Sequence, residues 1–214
     1  MSKVRAHIST SLDGYVAGPN QSQEEPLGEG GERLHDWLVR LKAWREPSGL
    51  EGGEENVSSS VVAEEHANVG AEIMGRGKFG PASRGPWGDD PWRGWWGDQP
   101  PFHAPVYVLT HTAPRPSIPM AGGTTFHFRT TAIDDVLAEA TDAAGGLDVR
   151  VGGGVGTARA FLLAGLVDDL HVAIAPILLG RGHRLWDDLR GLELSHKVTT
   201  EVAESGTIHV TFKR

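Results

Sequence analysis

The sequence concentrates glycine between Gly152 and Gly156, where four of five residues (Gly152, Gly153, Gly154 and Gly156) lack a side chain. An apolar run precedes them and a helix-like run follows. A strand that passes through glycine into a helix presents backbone N–H groups at the helix N-terminus. Four of these have no partner within the helix, and the helix dipole favours an anion beside them. Glycine also lets a pyrophosphate approach the main chain without interference from Cβ. Thr157, just inside the helix, adds a hydroxyl. The same residues would serve equally as a tight turn at close strand–helix packing, and the motif alone leaves both readings open. It is not the G-x-G-x-x-G fingerprint: counted from Gly152, the third glycine position falls on Thr157.

Two further stretches have the character of ligand-binding strand ends. Met74-Gly75-Arg76-Gly77-Lys78-Phe79 follows a predicted strand and sets two cations beside a glycine turn, which suits a phosphate. Val108-Leu109-Thr110-His111-Thr112 ends another strand with hydroxyls and an imidazole. Ligands bind at the carboxyl ends of strands in open α/β sheets. Singly, Arg76 and Lys78 read as solvated loop charges and Thr110 as a strand terminator; three such ends in one chain point to a nucleotide.

Other residues carry less. Ten histidines invite a metal reading, but none forms an HExxH pair and most are isolated in sequence, among them His7, His66, His103, His171, His183, His196 and His209. No metal site is expected. Asp13, in Ser11-Leu12-Asp13-Gly14, is a turn residue first. Residues 80–102 hold four of the seven tryptophans, Trp87, Trp92, Trp95 and Trp96. Their glycine and proline content excludes a regular element. The segment suits an aromatic lid over a planar substrate together with a dimer contact, or a cover packed on the body of the protein.

The elements that must position these groups follow from periodicity. Strands are predicted over Val4–Thr10, Ala71–Met74, Pro105–Thr110, Thr124–Phe128, Leu147–Val151 and Leu170–Leu179. A closing hairpin spans Val198–Glu204 and Thr207–Lys213. Helices are predicted over Glu32–Trp44, from Ser58–Ser60 through about Asn68, over Thr131–Ala144 with Thr131 and Asp134 as a capping box, and over Thr157–Ala164. Early strands alternate with helices and late strands follow one another. The pattern predicts an α/β fold with a mostly parallel sheet, an antiparallel C-terminal edge and one domain over residues 1–214.

Composition bounds the function. The chain has 214 residues, a hydrophobic content of 39% and a charged content of 22%, ordinary for a globular protein that folds without a metal or disulfide. It has no cysteine, so thiol nucleophiles and iron–sulfur ligation are excluded. The formal net charge of −8 speaks against general nucleic-acid binding. No membrane-length apolar run or signal-peptide h-region is present, so a cytoplasmic location is expected.

Taken together, Ser11–Gly14, Met74-Gly75-Arg76, Leu109-Thr110, Val151–Gly154 and Ala164–Leu170 leading into Pro176–Gly182 resemble, in order and spacing, the dihydrofolate reductase-like superfamily. In particular, they resemble stand-alone reductases similar to the C-terminal domain of the bifunctional riboflavin-biosynthesis deaminase/reductase. The resemblance covers nearly the whole chain. It implies NADPH as cofactor and a homodimer. Gly75, Arg76, Gly77 and Lys78, with Leu109, Thr110 and His111, would surround the adenosine and its 2′-phosphate. Val151, Gly153, Gly154, Val155, Gly156 and Thr157 would hold the pyrophosphate. Ala6, Ile8, Val16, Ala17 and Gly18 would lie near the nicotinamide. Hydride would pass to a C=N or C=O bond of a small planar pterin-, aminopyrimidine- or imine-like substrate, contacted by Trp37, Trp92 and Trp95.

The departures from that pattern matter. Folate reductases carry an acid on the first helix in a pattern matched here by Arg33-Leu34-His35-Asp36-Trp37, with arginine at the acid's position. Riboflavin reductases carry an acid just before the triple glycine, where Val151 stands. His35 or Asp36 would then be the proton donor. The missing acid also allows a second class, a protein that holds a nucleotide or small ligand on the same fold without turnover.

Overall fold

The computed structural model describes residues 2–46, 49–80, 87 and 92–214. In chain order its elements are β1 (Val4–Ser11), β2 (Tyr15–Ala17), α1 (Asp36–Val39), α2 (Lys42–Arg45), α3 (Val57–His66), β3 (Val69–Gly75), α4 (Arg76–Phe79), β4 (Pro105–Leu109), β5 (Ile118–Pro119), β6 (Thr125–Arg129), α5 (Ile133–Ala143), β7 (Asp148–Val151), α6 (Val155–Leu163), β8 (Asp169–Ala175), β9 (His183–Arg184), α7 (Leu192–Ser195), β10 (Lys197–Val202) and β11 (Ile208–Lys213). This is the expected mixed α/β fold, with sheet flanked by helices and a C-terminal antiparallel hairpin of β10 and β11. The chain forms two compact units. Met1–Ala6, Ser22–Pro26 and Asn68–Asp168 make the first; His7–Gln21, Leu27–Ala67 and Asp169–Arg214 make the second.

In the first unit the strand order is β1–β7–β3–β4–β6–β5. Every pairing is parallel except that of β5 on β6. Parallel strands covered on both faces need near-continuous apolar sequence; β4 supplies it, whereas β7 alternates Asp148 and Arg150 with Val149 and Val151. Helix α5 packs on β3, β4 and β7 and buries Val136 and Ala140, one helical turn apart. A core of Met74, Phe79, Val106, Val108, Met120, Phe126 and Phe128 fills the β4–β6 side. Helix α5 opens at Ala132 with no side-chain cap, so the capping box expected from Thr131 and Asp134 does not form; Asp134 and Asp135 instead lie in the first turn, where the dipole favours them.

The second unit holds the later half of β1, followed by β8, β11 and β10. Strand β8 is shorter than the Leu170–Leu179 run: it ends at Ala175, because Pro176 has no N–H to give a ladder. The single helix expected over Glu32–Trp44 is broken into a 3-10 turn at Gly31–His35, then α1 and α2. Leu41 leaves the helix in an extended conformation and bridges Glu54. Leu34, Trp37 and Leu41, at helix-like spacing, are nonetheless all buried. Helix α3 is capped by Asn56 rather than by the serine run. The Asn56 side chain accepts from Ser58 N–H, and Ser59 Oγ accepts from Asn56 N–H.

Asp13 is the turn residue anticipated, and it does more than turn. Its carboxylate accepts the backbone N–H groups of Leu179 (3.1 Å) and Gly180 (2.6 Å) and the Ser11 hydroxyl. Burial tends to raise its pKa, but these donors outweigh it and hold the carboxyl below its ordinary range. Asp13→Ala removes the acceptor for two main-chain donors and is expected to cost about 1–3 kcal/mol, read as a lower urea midpoint with an unchanged slope.

Candidate functional site

The first unit brings the three predicted strand ends together. Parallel register sets Gly75 of β3 beside Leu109 of β4, Ile73 of β3 beside Val151 of β7, and Val151 beside Ala6 of β1. The glycine turn is tied to the neighbouring strand end: Gly75 N–H donates to Gly153 O at 2.7 Å. Gly75 must be glycine because a Cβ there would overlap the Thr157 hydroxyl. Gly153 adopts φ +97°, which favours glycine, and methyl groups at Gly153, Gly154 or Gly156 would meet nothing within 4 Å. Gly154 caps α6, whose first turn has no side-chain cap. The result is bare main chain with open space at its Cβ positions, at the N-terminus of a nine-residue helix.

On the β4 side of Gly75 stands Arg76. Its Nη1 donates to Thr112 Oγ1 at 2.6 Å, and its guanidinium carbon lies 3.8 Å from the centre of the Trp87 ring. Desolvation lowers the Arg76 pKa from its usual value. Thr110 is buried, and its hydroxyl and that of Thr112 are 2.9 Å apart. His111 is exposed. Thr112 stands outside the stretch to which the sequence resemblance assigned roles, although it is the residue that Arg76 contacts.

On the β7 side a charged group appears that the sequence reading did not single out. Glu72 and Arg150 pair in the β3–β7 register; Glu72 is the one charge in β3, and Arg150 stands between Val149 and Val151 in β7. An acid inside the apolar run of β3 and an arginine between two valines in β7 were the available signal. Glu72 is 1% exposed and accepts from Arg150 Nε at 2.8 Å and from Lys78 Nζ at 3.0 Å. Burial acts to raise the Glu72 pKa, but Lys78 and Arg150 outweigh it and hold the carboxyl low. Lys78 is therefore half of an ion pair, not a loop charge. Gly152 has no room for a side chain because Glu72 and Lys78 fill that space.

These residues fit a dinucleotide phosphate. Glycines with open space at their Cβ positions begin a helix, whose N-terminal N–H groups favour an anion, and an arginine with adjacent hydroxyls ends the neighbouring strands, the donor set a 2′-phosphate and pyrophosphate require.

The tryptophan segment falls partly outside the described residues. Trp87, Trp92 and Trp96 pack against the first unit's core. Trp92 Nε1 donates to Phe79 O at 2.9 Å, and Trp92 meets Trp95 edge to face at 4.5 Å. These rings cover the body of their own unit, the packing alternative allowed by the sequence.

The remaining expected residues lie in the second unit. His35 is half-buried at the end of the 3-10 turn, Asp36 is exposed, and Trp37 is buried with its Nε1 unpartnered. Ile8 is half-buried in β1. Val16 and Ala17 lie in β2, paired with β9, and Gly18 N–H donates to Leu27 O at 2.8 Å. The histidines that look isolated in sequence are not all so. His209 is 2.8 Å from Ser58 Oγ through Nε2 and 3.0 Å from His171 Nε2 through Nδ1, and the rings of His7 and His171 are 5.5 Å apart. Among the described residues no group of three or more His, Asp or Glu is arranged to hold a metal, and no helix is long and apolar enough to cross a membrane.

Comparison with known proteins gives the family and supports the fold. The model of the RibD C-terminal domain matches residues 2–208. A comparison with curated proteins finds no match. A solved protein of Shewanella sp. PV-4 assigned to riboflavin biosynthesis has the same fold at 23% identity and a TM-score of 0.60, with 99% of this chain and 98% of that one covered. A pyrimidine reductase-like protein of Corynebacterium diphtheriae is similar at 14% identity and a TM-score of 0.50, over 99% and 91%. The diaminohydroxyphosphoribosylaminopyrimidine deaminase/5-amino-6-(5-phosphoribosylamino)uracil reductase of Thermotoga maritima is similar at 14% identity and a TM-score of 0.55, and this chain covers 56% of it. The chain belongs to the RibD C-terminal domain family and is an oxidoreductase of the riboflavin reductase type.

Proposed function

We propose that this protein is an NADPH-dependent reductase that transfers a hydride to a C=N or C=O bond of a small planar pterin-, aminopyrimidine- or imine-like substrate. One observation carries the reading: the open glycine turn at the start of α6 is hydrogen-bonded to Gly75, and the next residue, Arg76, meets a pair of threonine hydroxyls beyond β4. In the first unit, Gly153 to Thr157 hold the pyrophosphate by main-chain N–H groups, with Val151 beneath. Gly75, Arg76 and Gly77, with Leu109, Thr110 and His111, take the adenosine and its 2′-phosphate, and Ala6 serves the nicotinamide end. When bound, NADPH supplies the hydride. Ile8, Val16, Ala17 and Gly18 of the second unit are assigned to the nicotinamide, and Trp37 to the substrate. Trp92 and Trp95 join the substrate set through their place in the tryptophan segment. A cytoplasmic homodimer completes the proposal.

The test is titration with NADPH and with NADH, read by quenching of tryptophan fluorescence. Wild type should bind NADPH. Arg76→Ala should weaken NADPH about tenfold or more and NADH far less, since a lost charge-assisted contact to phosphate is worth at least ~1.4 kcal/mol. Equal loss for the two cofactors would contradict the 2′-phosphate assignment. NADPH bound but never oxidised across imines, dihydropterins and aminopyrimidine ribosides would favour the non-catalytic ligand-binding class.

A further inference from the structure

Arg76 and Lys78 leave one strand end in opposite directions. Strand β3 has β4 on one side and β7 on the other. Arg76 reaches to Thr112, beyond the end of β4. Lys78 turns to the β7 side, where its Nζ would lie 2.5 Å from a methyl group built on Gly152, the first residue after β7. The place that a side chain at position 152 would occupy is thus filled by Glu72 and by an ammonium group from α4. Val151, one residue earlier, stands opposite Ala6, the first-unit residue assigned above to the nicotinamide end. Lys78 accordingly points away from the Arg76 phosphate edge. Within its ion cluster, Glu72 is enclosed and the Arg150 side chain is 11% exposed, whereas the Lys78 side chain keeps 31% of its surface. A buried carboxylate that anchors a partly exposed ammonium aims its protons while leaving them reachable.

Resting on the reductase reading, we propose that Lys78 is the proton donor to the substrate heteroatom, with Glu72 as the residue that positions it. One Nζ–H bond of Lys78 would break and its proton would form the substrate N–H or O–H bond, balancing the hydride that bound NADPH would supply to the carbon. The neutral amine left on Lys78 takes a proton back from water. This assigns the site a substrate whose reducible carbon is double-bonded to an accessible nitrogen or oxygen, and it supplies the acid absent from positions 33 and 151.

The test compares wild type, Lys78→Arg and Lys78→Met, each with its thermal midpoint measured. NADPH and NADH affinities come from tryptophan quenching, and NADPH oxidation is followed with a cyclic imine, a dihydropterin and an aminopyrimidine riboside. Arginine keeps the charge and the Glu72 pair but does not release its proton. Lys78→Arg should therefore bind NADPH within about twofold of wild type while kcat falls about 100-fold or more and KM hardly moves. Lys78→Met should show the same loss, partly restored by added methylamine; if it does not fold, Lys78→Arg carries the comparison. Wild-type kcat in Lys78→Arg would overturn the proposal, because charge alone would then suffice. So would NADPH affinity reduced about tenfold in Lys78→Arg with a fallen preference over NADH, which would place Lys78 at the phosphate edge. Wild type that binds NADPH yet oxidises it with none of the probes also counts against it. Wild type that binds no NADPH overturns the reductase reading itself, before any variant is compared.

Discussion

Glu72→Ala is expected to destabilise the protein by about 3–5 kcal/mol, because removing one partner of a buried ion cluster leaves an uncompensated charge behind. The carboxylate sits between Arg150 and Lys78 in the middle of the parallel sheet, and Arg150 itself is 9% exposed. Lys78 can swing its ammonium toward solvent; Arg150 has far less freedom to do so. The loss should appear as a lower urea midpoint. The double variant Glu72→Leu with Arg150→Met should recover most of it, since well-packed apolar replacements for buried pairs are often neutral. A cost below about 1 kcal/mol for Glu72→Ala would mean that the interior around Arg150 is wetter than its burial implies.

Acidification should be the second large effect, and it originates in the second unit. Burial, reinforced by His209 and Lys213, pushes the His171 pKa from 6.5 down to about 3, and burial lowers His209 as well. The hydrogen bond between the two rings has the same consequence, since it needs one donor and one acceptor nitrogen and cannot join two imidazolium ions. Below pH 6.5 the unfolded chain binds protons that the folded chain refuses. Stability is therefore full above about 6.5 and falls as pH drops toward 3, by up to ~1.4 kcal/mol per unit from His171 alone. Between pH 6.5 and 5 the paired carboxylates remain ionised, so urea midpoints in that window isolate the histidines. His171→Leu should flatten the slope by about one proton. An unchanged slope would show that the wild-type pair is already protonated or solvated near neutrality.

Much of this was legible in the sequence. The parallel order of the first unit follows from apolar runs alternating with helices, and the three strand ends were placed correctly because each joins an apolar run to glycine or hydroxyl residues. What failed was local. Pro176 stopped β8 early, and the Glu32–Trp44 helix broke at Leu41, whose burial is set by tertiary packing rather than by local preference. What was missed was mutual. Glu72, Arg150 and Lys78 are 6 to 78 residues apart in sequence, and so are unremarkable until the β3–β7 register sets them face to face. His171, His209 and Ser58 are likewise joined only by strand pairing and the placement of α3.

The glycine turn would answer a complete substitution scan with a mixed signal. Selection for folding alone should reject side chains at Gly152, where Glu72 and Lys78 already stand, and at Gly75, where Thr157 does. It should tolerate alanine at Gly154 and Gly156, which face open space with no left-handed φ to accommodate. Selection for cofactor binding should then remove those tolerated alanines. Neighbouring glycines of one short motif would thus be held by two separable pressures, and the difference between the two scans would trace the outline of the bound nucleotide.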